Sequence, residues 1–198
     1  MNKLFPIYVK LEQTHTLLVG AGAVGLEKIQ AMVANSPEAH IDVVSREVSP
    51  DFLHFIAGRN HINLEIRDFR DEDIQQKHMV VVASNNPTLN AHIESLCQAQ
   101  RTLLNVADKP DLCDFYLGSV VQKGDLKIGI STNGLSPTMA KRMKQFLNEI
   151  IPEEIDETLQ LMSTLRDQLK GNLKEKIVVL NQHTETLIEQ KKQHDRAN

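Results

Sequence analysis

Six consecutive residues, GAGAVG, follow an apolar stretch and are suited to holding the phosphates of a dinucleotide. In this G-x-G-x-x-G pattern, Gly20 permits a tight turn, Gly22 lets the backbone approach a pyrophosphate, and Gly25 lets a helix pack closely on the strand. The free N–H groups at the start of the following helix would point at the phosphates. A glycine-rich turn kept for packing alone is the alternative. The residues expected to line the cofactor site are Gly20, Ala21, Gly22, Ala23 and Val24.

The second predicted strand ends in Ser45-Arg46, where dinucleotide-binding folds contact the adenosine ribose. An Asp or Glu at this position favours NAD, whereas an Arg can accommodate the 2′-phosphate of NADP. Arg46 can equally be a solvated loop charge. These two residues are therefore candidate cofactor contacts, but by themselves they leave the choice of nucleotide open.

Polar residues also follow the fourth and fifth predicted strands. Ser84 and Asn85 are candidate cofactor contacts, and Asn105, Asp108 and Lys109 are candidates for a substrate crevice. Open α/β sheets bind their ligands outside the carboxyl ends of the strands. An Asp before a proline-containing turn is also an ordinary loop residue, so both interpretations of Asp108 stay open.

A turn, TNGLSP, leads into a helix that begins near Ser136 and carries Lys141, Arg142 and Lys144. A helix N-terminus with nearby cations suits carboxylate or phosphate groups. The alternative is a helix cap followed by a solvated basic face. We treat all four residues as candidate substrate contacts.

These residues need a parallel sheet to bring them together, and the chain has the pattern of one. Short β-branched runs at 14–19, 41–45, 62–67, 79–84 and 102–107 alternate with amphipathic stretches. This alternation predicts an α/β class with an N-terminal Rossmann-like parallel sheet. Its helices are predicted to begin after Gly22, at Ser49-Pro50 and at Pro87, the last two with a proline after a polar cap candidate.

An antiparallel hairpin follows, with strands at 115–122 and 126–132 around Lys123-Gly124-Asp125, and then a helix from Ser136 to about Ile150. The C-terminal region is predicted to be a helical hairpin, with one apolar stripe over 155–169 and a second over 173–188. We expect three regions: 1–112, a dinucleotide-binding domain; 113–151, a hairpin and helix; and 152–198, helical.

Composition narrows the function classes. A formal net charge of −4 without a basic arm disfavours nucleic-acid binding. Short apolar runs predict neither a membrane span nor a signal peptide, so we expect a cytoplasmic protein with no membrane partner. Cys97 and Cys113 lie outside any zinc motif, Cys113 suits packing better than nucleophilic attack, and the eight histidines show no compelling ligand spacing. No metal ligand can be named.

The order of motifs resembles the siroheme synthase family of precorrin-2 dehydrogenases. The segments LFPIYVKLEQTHTLLVGAGAVGLEK, VVVASNNPTLN and LLNVADKPDLCDFYLGSVVQKGDLKIGISTNGLSPTMAKRMK carry the resemblance, over about residues 4–150. It implies NAD-dependent oxidation of precorrin-2 to sirohydrochlorin, in some members accompanied by Fe²⁺ insertion to give siroheme. It also implies a homodimer formed through the middle segment. We expect the methyltransferase domain of some members to be absent.

Matching the motifs residue by residue, the resemblance implies that Gly20 and Gly22 hold NAD, that Asp108 is the catalytic aspartate, and that Ser136 lies near the tetrapyrrole pocket. Gly25 stands where the family often has Ala, an exchange we expect to cost nothing. Gly118-Ser119 replaces a usual Pro-Ala, which leaves the pocket wall undetermined.

One different class of function stays open. A regulatory module that senses NAD(H) would need the glycine loop but would not need Asp108 or the S-T-x-G-x-S-P segment. Reduction of NAD⁺ in the presence of precorrin-2 separates the two hypotheses, because a sensor would not catalyse it.

Overall fold

The computed structural model describes residues 2–169 and residue 178. Seven strands and five α-helices are defined within this part of the chain. In chain order they are β1 (His15–Ala21), α1 (Ala23–Asn35), β2 (His40–Val48), α2 (Pro50–Ile56), β3 (Ile62–Ile66), β4 (Met79–Val82), α3 (Pro87–Gln100), β5 (Leu103–Val106), β6 (Ser119–Lys123), β7 (Leu126–Ile130), α4 (Pro137–Ile150) and α5 (Ile155–Gln168).

The first five strands form one parallel sheet in the order β3-β2-β1-β4-β5. The predicted α/β class with a Rossmann-like sheet is confirmed, because each strand lies where the apolar pattern indicates. The strand order reverses direction between β1 and β4. Ligands of such sheets bind at this reversal, outside the carboxyl ends of the strands.

Two apolar layers cover the sheet. Leu18 of β1 packs with α1 and α2 on one face, whereas Leu17 and Val19 pack with α3 on the other. Successive residues of a strand point to opposite faces, so a strand buried on both sides is apolar throughout. All four residues of β4 are buried accordingly. Both faces of the sheet are therefore covered by helices.

The helices begin where the sequence places caps. Ser49 caps α2 and Asn86 caps α3, each by accepting a backbone N–H, and a proline follows each cap. The predicted hairpin is present as β6 and β7, which Gly124-Asp125 joins. A two-residue connection requires antiparallel strands. Its first strand starts at Ser119 rather than 115, because Phe115 and Leu117 pack against the core beside the sheet.

The described chain divides into two compact units. One comprises residues 1–119 with 131–140, and the other comprises 120–130 with the residues from 141 onward. In the second unit, Asp156 at the start of α5 accepts the Asp125 backbone N–H at 2.7 Å, and Lys123 pairs with Glu153. The predicted second helical stripe, over 173–188, lies outside the described residues. Among the helices that the structure describes, none is both long enough and apolar enough for a membrane span.

Four of the histidines share one register position at the amino edge of the sheet. His15, His40, His61 and His78 begin or immediately precede four neighbouring strands. The His15 ring stacks between those of His40 and His78, with centroids 5.8 and 6.0 Å apart. This edge is opposite to the one that carries the glycine loop.

Candidate functional site

Two glycines of the loop after β1 are required by close backbone contact. Gly20 has a φ of +105°, and a Cβ there would lie 2.4 Å from the Ala83 carbonyl oxygen. A Cβ on Gly25 would lie 2.1 Å from the Gly20 carbonyl oxygen. The expectation that Ala at position 25 costs nothing is therefore wrong for this chain, since the obstacle is backbone and not a movable side chain.

Gly22 differs, because the space beside it is open. It precedes the first turn of α1, no side chain caps the helix there, and a Cβ on Gly22 would meet no atom within 4 Å. The open position lies beside N–H groups that start a helix, and such groups attract phosphate. Ala23 and Val24 supply the first of these groups. The loop thus fits a pyrophosphate.

Ser45 connects the glycine loop to β2. Its hydroxyl accepts the Ala21 backbone N–H at 3.0 Å and donates to the Glu47 carbonyl at 2.6 Å. The hydroxyl therefore braces the loop. Arg46 is exposed and pairs with the carboxylate of Asp68, Nε to Oδ1, at 3.5 Å.

The turn after β4 is built from its own polar groups. The Ser84 hydroxyl accepts the Asn86 backbone N–H at 3.1 Å, and the side-chain amide of Asn90 donates to the Ser84 carbonyl at 3.1 Å. Asn85 is exposed at the tip of the turn. These bonds fix the turn beside the glycine loop, since β4 is the direct neighbour of β1.

Asp108 follows β5 with an exposed side chain and a φ of +58°. Left-handed backbone is unfavourable for most residues and least so for Asn, Asp and Gly. Residues held in such conformations cluster at functional sites. β5 is two strands from β1, so Asp108 belongs to the same edge as the glycine loop, roughly 10 Å away by strand spacing. Lys109 is exposed next to it.

Asn105 is buried and its amide is used inside the fold. It donates to the Phe115 carbonyl at 2.8 Å, which ties β5 to the segment after it. Nearby, the Cys113 sulfur accepts the Val106 backbone N–H at 3.2 Å. Burial raises the pKa of the Cys113 thiol. Both side chains pack and brace the wall behind Asp108, and the thiol is poorly suited to nucleophilic attack.

Ser136 caps α4. Its hydroxyl accepts the Met139 backbone N–H at 3.1 Å, and its own N–H donates to the Thr132 hydroxyl at 3.2 Å. The predicted cations Lys141, Arg142 and Lys144 are all exposed on α4, in the second unit.

The structure thus brings most of the predicted cofactor residues to the carboxyl ends of β1, β2 and β4, and Asp108 to the end of β5. Asp68 is the residue that the sequence analysis missed. Asp68 follows β3, which is part of no recognised sequence motif. Only the pairing of β3 with β2 brings Asp68 close to Arg46. In the described residues there is no group of three or more His, Cys, Asp or Glu side chains arranged to hold a metal ion.

Comparison with known proteins agrees with this geometry. Residues 7–119 match a family model described as "Putative NAD(P)-binding", and residues 123–149 match one described as "Sirohaem biosynthesis protein central". The siroheme synthase of Pseudoalteromonas atlantica is 30% identical over 84% of this chain and 36% of its own length. That of Thioalkalivibrio sulfidiphilus is 28% identical over 85% of this chain and 34% of its own length.

A solved structure shares the fold. The protein described as SirC, precorrin-2 dehydrogenase, superposes with a TM-score of 0.71 at 22% identity, over 90% of this chain and 88% of that one. The chain spans about a third of the length of the two curated relatives named above. The first family model covers more than half of the chain, from before β1 to the start of β6. With its glycine loop, open helix N-terminus and five-stranded parallel sheet, the chain belongs to this NAD(P)-binding family.

Proposed function

We propose that this protein oxidises precorrin-2 to sirohydrochlorin with NAD⁺, as a step of siroheme biosynthesis. The observation that carries the proposal is Asp108, an exposed carboxylate held at a φ of +58° on the same sheet edge as an open pyrophosphate loop. The printed names of the relatives and of the structural neighbour support the substrate. An NAD(H) sensor would have no use for Asp108.

Different residues bind the cofactor and accept the proton. NAD⁺, when bound, would supply the acceptor for the hydride that the substrate loses. The N–H groups at the start of α1 would hold its phosphates beside Gly22. The Asp108 carboxylate accepts the proton that the substrate loses, as a general base. One hydride and one proton leave precorrin-2, so the oxidation balances.

Precorrin-2 carries many carboxylates, whereas this chain is net acidic. Local cations must therefore offset the repulsion, and we assign this role to Lys109, Lys141, Arg142 and Lys144. Fe²⁺ would be a second substrate. Its insertion into sirohydrochlorin displaces two pyrrole N–H protons, and the same carboxylate can accept them one at a time, releasing the first to solvent before it takes the second. Insertion of Fe²⁺ by this chain stays a prediction.

We also propose a homodimer. Helix α4 exposes four apolar residues at spacings of four, three and four: Met139, Met143, Phe146 and Ile150, which we call the α4 stripe. Helical residues at these spacings share one face. A second copy of the chain can cover the α4 stripe by closed two-fold symmetry.

A cytoplasmic location fits the two free cysteines, Cys97 and Cys113.

The test of the proposed activity is Asp108→Asn. Asn tolerates a positive φ as well as Asp does, so the thermal midpoint should stay within about 2 °C of wild type. Oxidation of precorrin-2, followed as NADH formation under anaerobic conditions, should fall by about 10²-fold or more. Asp111→Asn, on the neighbouring exposed carboxylate, is the matched control and should retain activity.

Turnover by Asp108→Asn at the wild-type rate would remove the proposed base. A wild-type protein that binds NADH but never reduces NAD⁺ with precorrin-2 would instead favour the sensor. The same variant, assayed with sirohydrochlorin and Fe²⁺ without nucleotide, tests the second step. Lost oxidation with intact chelation would show that the two reactions use different groups.

A further inference from the structure

We propose that Asp68 makes this protein select NAD over NADP, by engaging Arg46 at the ribose end of the site. The inference rests on the use of a dinucleotide in the proposed function. It resolves an ambiguity, since the Ser45-Arg46 pair at the end of β2 leaves the choice between NAD and NADP open. Asp68 is thus a specificity-determining residue that works through Arg46.

Strand pairing places the two residues together. Ser45 of β2 lies level with Ile66 of β3, and the Arg67 backbone N–H donates to the Ser45 carbonyl at 3.0 Å. β3 ends there, and Asp68 follows at the carboxyl edge. The Asp68 carboxylate then meets the Arg46 guanidinium at 3.5 Å. An acidic group thus lies beside the position where NAD-binding folds often have one on β2, although it comes from the adjacent strand.

Both side chains are open to a ligand. The Arg46 side chain is 72% exposed and that of Asp68 is 80% exposed. A pair this exposed contributes little to stability, because water solvates both charges. Its effect is instead on whatever binds beside it, where the carboxylate offsets the positive charge of Arg46.

The segment that carries Asp68 is braced. The Arg67 guanidinium donates to the Asp68 carbonyl at 3.0 Å and to both carboxylate oxygens of Asp73, at 2.8 and 2.7 Å. The side chain of Asp73 is only 9% exposed, and its carboxylate also accepts the Arg70 backbone N–H at 2.8 Å. Bidentate Arg–carboxylate pairs fix geometry as well as charge. The backbone of Asp68 is therefore held near Arg46 before any nucleotide binds.

This arrangement discriminates at the 2′ position. A 2′-phosphate carries a charge of about −1.5 to −2, so it would be repelled by Asp68 and would have to compete with it for Arg46. The 2′-hydroxyl of NAD has no charge to repel, and it can donate a hydrogen bond to a carboxylate. Both the repulsion by Asp68 and the competition for Arg46 therefore weaken NADP binding, whereas neither weakens NAD binding.

The experiment compares NADH and NADPH binding to the full chain by fluorescence titration at low salt. Wild type should bind NADH more tightly. Asp68→Asn should tighten NADPH about tenfold, or about 1.4 kcal/mol, and change NADH by less than about threefold. Adding Arg46→Gln to Asp68→Asn should abolish the gain. Glu47→Gln is the matched control, because it removes the same charge from the exposed residue next to Arg46.

Each outcome has one meaning. NADPH binding unchanged by Asp68→Asn, or tightened equally by Glu47→Gln, would overturn the role of Asp68. Wild-type preference for NADPH would overturn it as well, and with it the assignment of NAD as the cofactor. Failure to bind either nucleotide would instead refute the proposed function. Failure of Asp108→Asn to slow oxidation would leave the role of Asp68 intact.

Discussion

Two glycine-to-alanine changes, three residues apart, should have opposite consequences. At Gly25, the added methyl would lie 2.1 Å from the Gly20 carbonyl oxygen. Real Cβ contacts are essentially never shorter than 3.0 Å, so helix α1 must move away from the loop by at least 0.9 Å, the difference between the two distances. Overpacking of this kind costs about 1–3 kcal/mol. For a chain of this size, that lowers the thermal midpoint by roughly 2–12 °C.

At Gly22, the same methyl would meet nothing within 4 Å, and the φ of −82° suits any residue. Folding stability should change by less than about 1 kcal/mol, because Ala has less freedom than Gly in the unfolded chain but is less favourable than Gly at the N-cap of α1. The methyl instead occupies the space through which a pyrophosphate reaches the start of α1. We expect the NADH dissociation constant to rise about tenfold or more, which corresponds to at least about 1.4 kcal/mol.

Thermal unfolding followed by circular dichroism, together with NADH fluorescence titration, measures both effects on the same samples. Gly22→Ala should lose binding with its thermal midpoint kept, and Gly25→Ala should lose stability first. Wild-type NADH affinity in Gly22→Ala would show that the open space does not receive the cofactor. A wild-type midpoint in Gly25→Ala would show that the helix and loop are looser than their backbone contact indicates.

Two further predictions concern acid stability and assembly. Burial raises the pKa of Asp73, but hydrogen bonds from Arg67 and from the Arg70 backbone outweigh it and hold that pKa below its ordinary value. A lowered carboxyl pKa stabilises the fold above the unfolded-state value near 3.8, and this contribution is lost as pH falls through the folded-state pKa. Asp73→Asn should therefore cost about 1–3 kcal/mol in urea unfolding at pH 7 and progressively less as the pH falls below 3.8, whereas a loss that does not change with pH would contradict the ion-pair explanation. In the α4 stripe, Phe146→Glu should convert the dimer into a monomer by sedimentation velocity while Gln145→Glu does not; a wild-type mass that stays monomeric at all concentrations would disprove the dimer.

Local pattern was enough to predict the architecture. The β-branched runs correspond to β1 to β5, and the caps at Ser49 and Asn86 mark the starts of α2 and α3. Both signals act within a few residues along the chain. A strand buried on both faces must be apolar, and a helix needs acceptors for its first N–H groups. Each element can therefore be predicted from its own residues. The edge that holds the glycine loop, Ser84 and Asp108 follows from the parallel sheet.

The uses of individual side chains were decided by contacts between distant residues. The Ser45 hydroxyl accepts a hydrogen bond from the Ala21 backbone N–H, and the Asn105 amide donates one to the Phe115 carbonyl. Arg46 meets a carboxylate that comes from the next strand, at Asp68. Such partners depend on strand register and on which groups remain unsatisfied once the sheet has formed. Periodicity and spacing describe only neighbours along the chain, but the partner of a hydrogen-bonding group can come from a distant part of it. The sequence therefore determines the scaffold, and only the tertiary structure decides which side chains remain free for chemistry.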